Sequence, residues 1–374
     1  MEGTAMTSHE PQEYFRRHSA LSDWLRPAGA EGRNAILAED STRSTRLEKL
    51  SKLIGLPILG TAKFDGTEVE KSESRFESFQ RQARGPYAVR AIQRTDESRV
   101  FRNRNLPIDQ LLTWLHGTVG DLSPYVLEFS PHVPNEWAAI FVVTERGIVG
   151  EIARGSLRQL TQGDHIDSAP ANFTFDFHDW RAVPDDEQYL RIAQAMVKYV
   201  RVDDPTARQA LEKEMGTSFA HDSYLMGYYE AIMGPSGEIR FIDFNIALGL
   251  QVDEQHWALL RRQQKEAGGD IRGLTASRGR IRGIARVILH PETDPLDISR
   301  GEILVCIEPS PEMIPLLVRA GGLVADRGGV LSHSAIVCRE LGIPCIVGTH
   351  NATEAIRDGS VIDLDGDTGI VRVL

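Results

Sequence analysis

Apolar positions recur along this chain at intervals that mark several elements. After Thr45, the residues Leu47, Leu50, Leu53 and Ile54 fall on one face of a helix, and the short apolar run Leu56-Pro57-Ile58-Leu59 follows as a strand candidate. Further buried strands are predicted at Pro86–Arg90 and Tyr125–Phe129. Trp137–Val143 and Gly147–Ile152 read as a strand pair turned around Thr144-Glu145-Arg146. Helical spacing returns over Tyr189–Val200 and Ala207–Met215. Tyr228–Met233 and Glu238–Phe244 then form a hairpin around Gly234-Pro235-Ser236-Gly237, a dense cluster of turn residues. No internal repeat or low-complexity tract interrupts the pattern.

The text changes near Gln264. Residues 264–279 (QKEAGGDIRGLTASRG) are polar, glycine-bearing and poorly periodic, and are expected to be a flexible linker. Sixteen extended residues reach roughly 50 Å at about 3.3 Å each. A compact αβ pattern follows, with strands at Ile281–Leu289, Glu302–Ile307, Leu323–Ala325, Pro344–Val347, Val361–Leu364 and Ile370–Leu374. One helix is expected within Pro311–Ala320 and another after His333. Residues 1–40 are polar and mixed in charge, and are expected to form a loosely held arm. The predicted organisation is therefore an arm over 1–40, a first domain over 41–263, a linker over 264–279 and a small αβ domain over 280–374. The fold class is α/β (α+β).

Composition narrows the field. No apolar run approaches the length of a membrane span, and the opening MEGTAMTSHEPQEYF lacks the pattern of a secretory signal. A net charge of -11 argues against a general nucleic-acid binder. Cys306, Cys338 and Cys345 sit among apolar neighbours without metal-ligand or disulfide spacing, as small buried hydrophobes of a reducing compartment do. These features predict a cytoplasmic enzyme with no membrane and no nucleic-acid partner.

The most informative segment is Gly328–Pro344, GGVLSHSAIVCRELGIP. Two glycines precede a helix with Ser332 as N-cap and Gly342 just past its end, followed by Pro344. His333 thus falls in the first turn, where free backbone N–H groups and the helix dipole favour an anion and disfavour imidazolium. Gly328 and Gly329 let backbone approach a phosphate without steric conflict. A neutral imidazole beside a phosphate cradle is what covalent phosphoryl transfer through histidine requires. Among eleven histidines an ordinary surface or capping role is the default. The surrounding text outweighs that default, because GGVLSHSAIVCRELGIPCIVG closely resembles the phosphohistidine motif of the phosphoenolpyruvate-utilising family. That family includes phosphoenolpyruvate synthase, pyruvate phosphate dikinase and rifampin phosphotransferase. The likeness runs from about Arg278 to Leu374, through GEILVCIEPSPEM and GSVIDLDGDTGIVRVL. It implies that residues 280–374 are a phosphohistidine domain swivelling between an ATP site and an acceptor site. Leu331 departs from the family, where many members have threonine.

Something must load His333. In the 228–245 hairpin, Asp243 and Asn245 are two apart and share a face, and Glu230 lies on the paired strand. Two carboxylates and an amide oxygen are hard ligands suited to Mg²⁺ bridging nucleotide phosphates, although such a pattern on a strand is commonly only a solvated face. The pattern is similar to the metal site of ATP-grasp enzymes, which implies an ATP-grasp-like nucleotide-binding domain over 41–263. By the same resemblance, Tyr87-Ala88-Val89-Arg90 sends Arg90 to the ATP phosphates, Arg94 and Glu97 follow in the next loop, and Glu128 binds the ribose or adenine edge. The glycine-rich, lysine-bearing loop of the family is not recognisable, and Arg43 or Arg46 is the candidate to replace it.

Together these readings predict an ATP-dependent phosphotransferase with cofactors ATP and Mg²⁺ and a small-molecule acceptor. By resemblance, attack at the β-phosphate gives AMP and inorganic phosphate. No barrel-length βα repeat for phosphoenolpyruvate is seen, so a small-molecule kinase of rifampin-phosphotransferase or glutamine-kinase type is expected rather than a phosphoenolpyruvate synthase. The alternatives are a phosphocarrier that serves a partner protein, and an ATP-grasp ligase that forms an acyl-phosphate.

Overall fold

The computed structural model describes residues 42–161, 170–250, 270–291 and 293–374, with Leu21, Leu25, Ala35, Ile36, Ala38 and Glu39 from the first forty. The chain divides into two compact bodies. One contains Ile58–Pro134, and the other contains Ser19–Pro57 and Asn135–Leu374. The fold is α/β throughout.

In the first body four antiparallel strands lie in the order β1-β4-β2-β3, with β1 at Ala62–Asp65, β2 at Tyr87–Gln93, β3 at Asp96–Leu106 and β4 at Tyr125–Pro131. Alternation along β2 and β4 sends Val89, Ala91, Leu127 and Phe129 into a core shared with Phe64, Phe76, Leu111 and Leu115. Helices Ser74–Gln82 and Ile108–Val119 supply Phe76, Leu111 and Leu115 from one face each. A capping box starts the Gly66–Glu70 helix: Asp65 accepts from the Thr67 N–H at 2.9 Å, and Glu68 accepts from the Asp65 N–H at 2.7 Å. Gly66 is required there, because a Cβ would lie 1.8 Å from the Leu122 carbonyl oxygen.

The second body holds two large sheets. Six antiparallel strands run in the order β12-β11-β5-β6-β7-β8: β5 is Trp137–Thr144, β6 Gly147–Arg154, β7 Ala171–Phe175, β8 Trp180–Val183, β11 Gly227–Met233 and β12 Ile239–Asn245. The short strands β9 (Phe219–Ala220) and β10 (Tyr224–Leu225) pair only with each other. The other sheet has eight strands in the order β13-β20-β19-β15-β16-β17-β18-β14. These are β13 at Ile271–Arg272, β14 at Leu274–Ser277, β15 at Arg280–Ile288, β16 at Ile303–Cys306, β17 at Gly322–Ala325, β18 at Cys345–Val347, β19 at Val361–Asp365 and β20 at Ile370–Val373. Strands β15 to β18 are parallel neighbours, and the rest are antiparallel. Cys306, Cys338 and Cys345 are free and buried in this part of the chain. One apolar cluster joins Ile140, Val142, Val149 and Tyr228 of the six-stranded sheet to Val330, Leu331, Ala335 and Ile336 beside the eight-stranded one.

Several elements differ from the sequence reading. Residues 271–277, expected within the linker, form β13 and β14 instead, because Ile271, Thr275, Ala276 and Ser277 are buried against β18 and β20. Residues 264–269 lie outside the described residues. The expected loose arm also contributes to the core: Leu21, Leu25 and Ile36 are buried in the cluster just named. Leu56–Leu59 makes a single bridge rather than a strand, and the strand sits later, at β1. The helix expected within Pro311–Ala320 shortens to a 3₁₀ turn and Ile314–Leu317, since Pro315 has no N–H to continue a helix through it. Among the described residues no helix is long and apolar enough to cross a membrane.

Leu25 tests the packing of the arm. Leu25→Ala should cost about 2–5 kcal/mol in urea denaturation, the ordinary range for a fully buried leucine. A loss below about 0.5 kcal/mol, the range of surface substitutions, would mean that this residue is not core.

Candidate active site at the His333 loop

Parallel strands β16, β17 and β18 end on the same side, and the loop leaving β17 leads into the helix His333–Leu341. Crevices outside the carboxyl ends of parallel strands are where α/β sheets bind ligands. The loop is pinned at its start by Asp326, which accepts from Thr349 Oγ1 at 2.9 Å, from the Thr353 N–H at 3.2 Å and from the Thr353 hydroxyl. Gly328 follows at φ 111°, a left-handed conformation that favours glycine. Ser332 is the N-cap as predicted, its Oγ accepting from the Ala335 N–H at 3.4 Å, and Gly342 ends the helix at φ 65°. His333 is the first helical residue and is only 5% exposed.

The loop is packed against β6. Its Val330 N–H donates to Glu151 Oε1 at 2.7 Å, and Glu151 is 1% exposed. A Cβ on Gly329 would lie 2.3 Å from Glu151 Oε2, so the bare backbone is what admits the carboxyl group. Arg339, farther along the helix, donates to the carbonyls of Val330 and Ala276 at 2.8 Å each. Burial raises the Glu151 carboxyl to about 7, against the pull of the Val330 and Leu331 N–H groups and of Arg339. Sequence reasoning missed Glu151. The loop residue it meets, Val330, is 179 residues away, and nothing local to Val149-Gly150-Glu151 says which group the carboxyl will meet.

The predicted metal residues lie in the same body. Glu230 and Asp243 are directly opposed across β11 and β12, beside a register slip after Glu230. Glu230 accepts from the Tyr228 hydroxyl at 2.8 Å. Asp243 Oδ1 accepts from the Phe244 N–H at 2.7 Å, and its Oδ2 lies 3.8 Å from Arg43. Burial pushes the Tyr228 phenol well above its ordinary pKa, and Glu230, Asp243 and Glu151 push it further. Asn245 shares the end of β12 with Asp243. It is the N-cap of the short helix Ile246–Gly249, and its Oδ1 accepts from the Leu248 N–H at 2.8 Å. Beside it Glu39 accepts from the N–H groups of Ile246 and Ala247, and Arg46 pairs with Glu39 and donates to the Phe244 carbonyl. Among the described residues no three His, Cys, Asp or Glu side chains gather as a metal group. Two opposed carboxylates still suit Mg²⁺, which commonly takes one or two protein carboxylates and completes its shell with phosphate and water.

Arg90, Glu128 and Arg94 belong to the first body. Lys63, Glu128 and Arg90 face one another in register across β1, β4 and β2. Lys63 Nζ lies 3.3 Å from Glu128 Oε1, and Arg90 Nη1 lies 3.4 Å from Oε2. The row carries two cations against one buried carboxylate, so Glu128 here holds cations where the sequence reading had it bind ribose or adenine. Lys63 was missed because β1 is only four residues long; its clue is the alternation Ala62-Lys63-Phe64-Asp65. Arg94 stands apart in the turn after β2, where it pairs with Asp65 and lowers the pKa of that carboxyl.

Comparison with known proteins places the C-terminal part. Residues 298–369 match the family described as "PEP-utilising enzyme, mobile domain". The probable phosphoenolpyruvate synthase of Methanothermobacter thermautotrophicus is 47% identical over 103 residues, which is 27% of this chain and 15% of that protein. The phosphoenolpyruvate synthase of Pyrococcus furiosus is 43% identical over 108 residues, 29% of this chain and 13% of that one. The chain thus spans about a seventh of the curated relatives it matches. Among solved structures, Enzyme I studied by NMR is 31% identical over 21% of this chain and 34% of that one, with a TM-score of 0.20, and the D-alanine-D-alanine ligase of Coxiella burnetii is 8% identical over 59% and 50%, with a TM-score of 0.30. The C-terminal region is therefore similar to the mobile domain of phosphoenolpyruvate-utilising enzymes.

Glu151 gives a pH signature. Its carboxyl is raised in the folded chain, so folding takes up a proton between the ordinary carboxylate range and about 7, and stability falls as pH rises through that window. The melting temperature of the native chain should therefore drop relative to Glu151→Gln between roughly pH 5 and 8. A constant difference across that range would mean that the carboxyl titrates normally.

Proposed function

We propose that this chain is an ATP-dependent phosphotransferase that carries a phosphoryl group on His333 and passes it to a small-molecule acceptor. The reading rests above all on one observation. The glycine-bearing loop before His333, at the carboxyl ends of three parallel strands, presents a backbone N–H that already holds a carboxyl side chain. The similarity of residues 298–369 to the mobile domain supports the same assignment.

The chemistry follows from these residues. A ring nitrogen of His333 forms a bond to the β-phosphorus of ATP while the bond from that phosphorus to the oxygen of AMP breaks. Water then removes the terminal phosphoryl group as inorganic phosphate, which leaves one phosphoryl group on the ring for the acceptor. Lys63 and Arg90 are cations for the nucleotide phosphates, with Glu128 fixing both side chains through the row it forms with them. Glu230 and Asp243 would hold Mg²⁺, which neutralises phosphate charge when bound. Asn245 contributes indirectly, by capping the helix that follows β12. Phosphoryl transfer depends chiefly on positioning and on charge compensation, and these groups provide both.

Labelled ATP tests the proposal. The full chain should release AMP and acquire acid-labile label, and His333→Asn should abolish that label. ADP as the sole nucleotide product would sink the β-phosphate route. Asp243→Ala should lower Mg-dependent turnover by about 100-fold or more, in line with removal of a group that stabilises transferring charge. Unchanged kinetics would take Asp243 out of the site. Label that passes to a protein, and to no metabolite in a screen by mass, would reassign the acceptor.

A further inference from the structure

Glu151 takes no part in the chemistry just described, yet it is buried against the loop that the chemistry depends on. Its Oε1 accepts the Val330 N–H at 2.7 Å, three residues ahead of His333. Its other oxygen lies where a side chain on Gly329 would have to be. Arg339 fixes the loop from the helix side by holding the Val330 carbonyl, and its charge acts on Glu151. Tyr228 faces the same region from β11. The carboxyl group therefore meets bare glycine backbone, the Val330 N–H ahead of a helix and the charge of Arg339. Those are the features that suit the loop to phosphate.

We propose that Glu151 is an internal stand-in for phosphate: its carboxylate docks the Gly328–Ser332 loop on β6 while His333 is unmodified, and the phosphoryl group on His333 expels it. The proposal rests on the reading of His333 as the phosphoryl carrier. The carboxylate is attached to β6, whereas the phosphoryl group is attached to the loop. Both groups are acceptors for N–H donors of one loop, and neither can leave its own chain segment. They separate only if the loop leaves β6, so release of the C-terminal sheet becomes conditional on loading.

Amide exchange over residues 328–332, measured in the full-length chain, in Glu151→Gln and in Glu151→Ala, decides the matter. Glu151→Ala should speed exchange at Val330 by about 10-fold or more, while Glu151→Gln, which keeps an acceptor oxygen, should stay nearer the native rate. Millimolar inorganic phosphate should slow exchange again in Glu151→Ala and leave the native chain unchanged. Phosphoramidate transfers its phosphoryl group to imidazole nitrogen with release of ammonia and needs no nucleotide. Native protein loaded this way should exchange about 10-fold faster at the loop than unloaded protein. A contact that is merely structural would give faster exchange in Glu151→Ala with neither phosphate effect, and that pattern would overturn the proposal. So would loaded protein that exchanges as slowly as unloaded. If Glu151→Ala does not fold, Glu151→Asp, shorter by one methylene, takes the same measurements. Failure of ATP to label His333, with the phosphoramidate result intact, would count against ATP as the donor and leave the docking role standing.

Discussion

A buried carboxylate held by backbone N–H groups is the contact on which this structure turns. Glu151 meets the loop ahead of His333 inside a sheet that excludes water, and the cost of burial is visible in its raised pKa. A carboxylate in such a place is tolerated only with donors close by. The loop can supply them because glycine removes the side chain that would otherwise stand in the way, and because the first turn of a helix has N–H groups to spare. Those requirements are the same ones a phosphoryl group makes. In the proposed reading, the loop's chemistry and its docking on β6 are two uses of one set of donors.

The legible parts of the fold were those with local causes. The His333 helix could be read to its caps because Ser332, Gly342 and Pro344 act within one or two turns of chain. The hairpin of β11 and β12 was legible because its turn is four residues of glycine, proline and serine. What stayed hidden depends on distant partners. Residues 271–277 look like linker, with polar groups and glycine, and become strands only because β18 and β20 offer unpaired edges. Leu21 and Leu25 are apolar islands in a polar stretch, and their burial depends on the sheets they reach.

The candidate site divides along the same line. The place of His333 in the first turn of its helix was legible from its immediate surroundings, as was the opposition of Glu230 and Asp243 from alternation on paired strands. Asn245 shows where alternation misleads. Two residues from Asp243 it shares a face in principle, but β12 ends there and a helix begins, so its amide oxygen goes to the Leu248 N–H. A strand residue at an element boundary answers first to the unsatisfied N–H groups of the next helix. Lys63 and Glu151 are the opposite case: each is an ordinary residue on a strand, and only strand pairing or loop docking gives it a charged neighbour.

Charge arithmetic indicates what such an arrangement would do in a phosphoryl carrier of the proposed kind. Two unit charges about 4 Å apart interact by roughly 4 kcal/mol at an effective dielectric of about 20, and a phosphoryl group brings nearly two negative charges. Repulsion of that order is comparable with the stability of a whole contact surface between two packed elements, so it can decide between docked and released states. Unmodified His333 leaves the Val330 N–H to Glu151, and the apolar contacts of Val330, Leu331, Ala335 and Ile336 with the six-stranded sheet then hold the loop down. On the proposed reading, a loaded ring brings a phosphoryl group to the loop that the Glu151 carboxyl holds. The apolar contacts are unchanged by loading, so they set how much repulsion is needed, and Glu151 sets how much is supplied. Docking strength and release are thus tuned by separate groups on the same two surfaces.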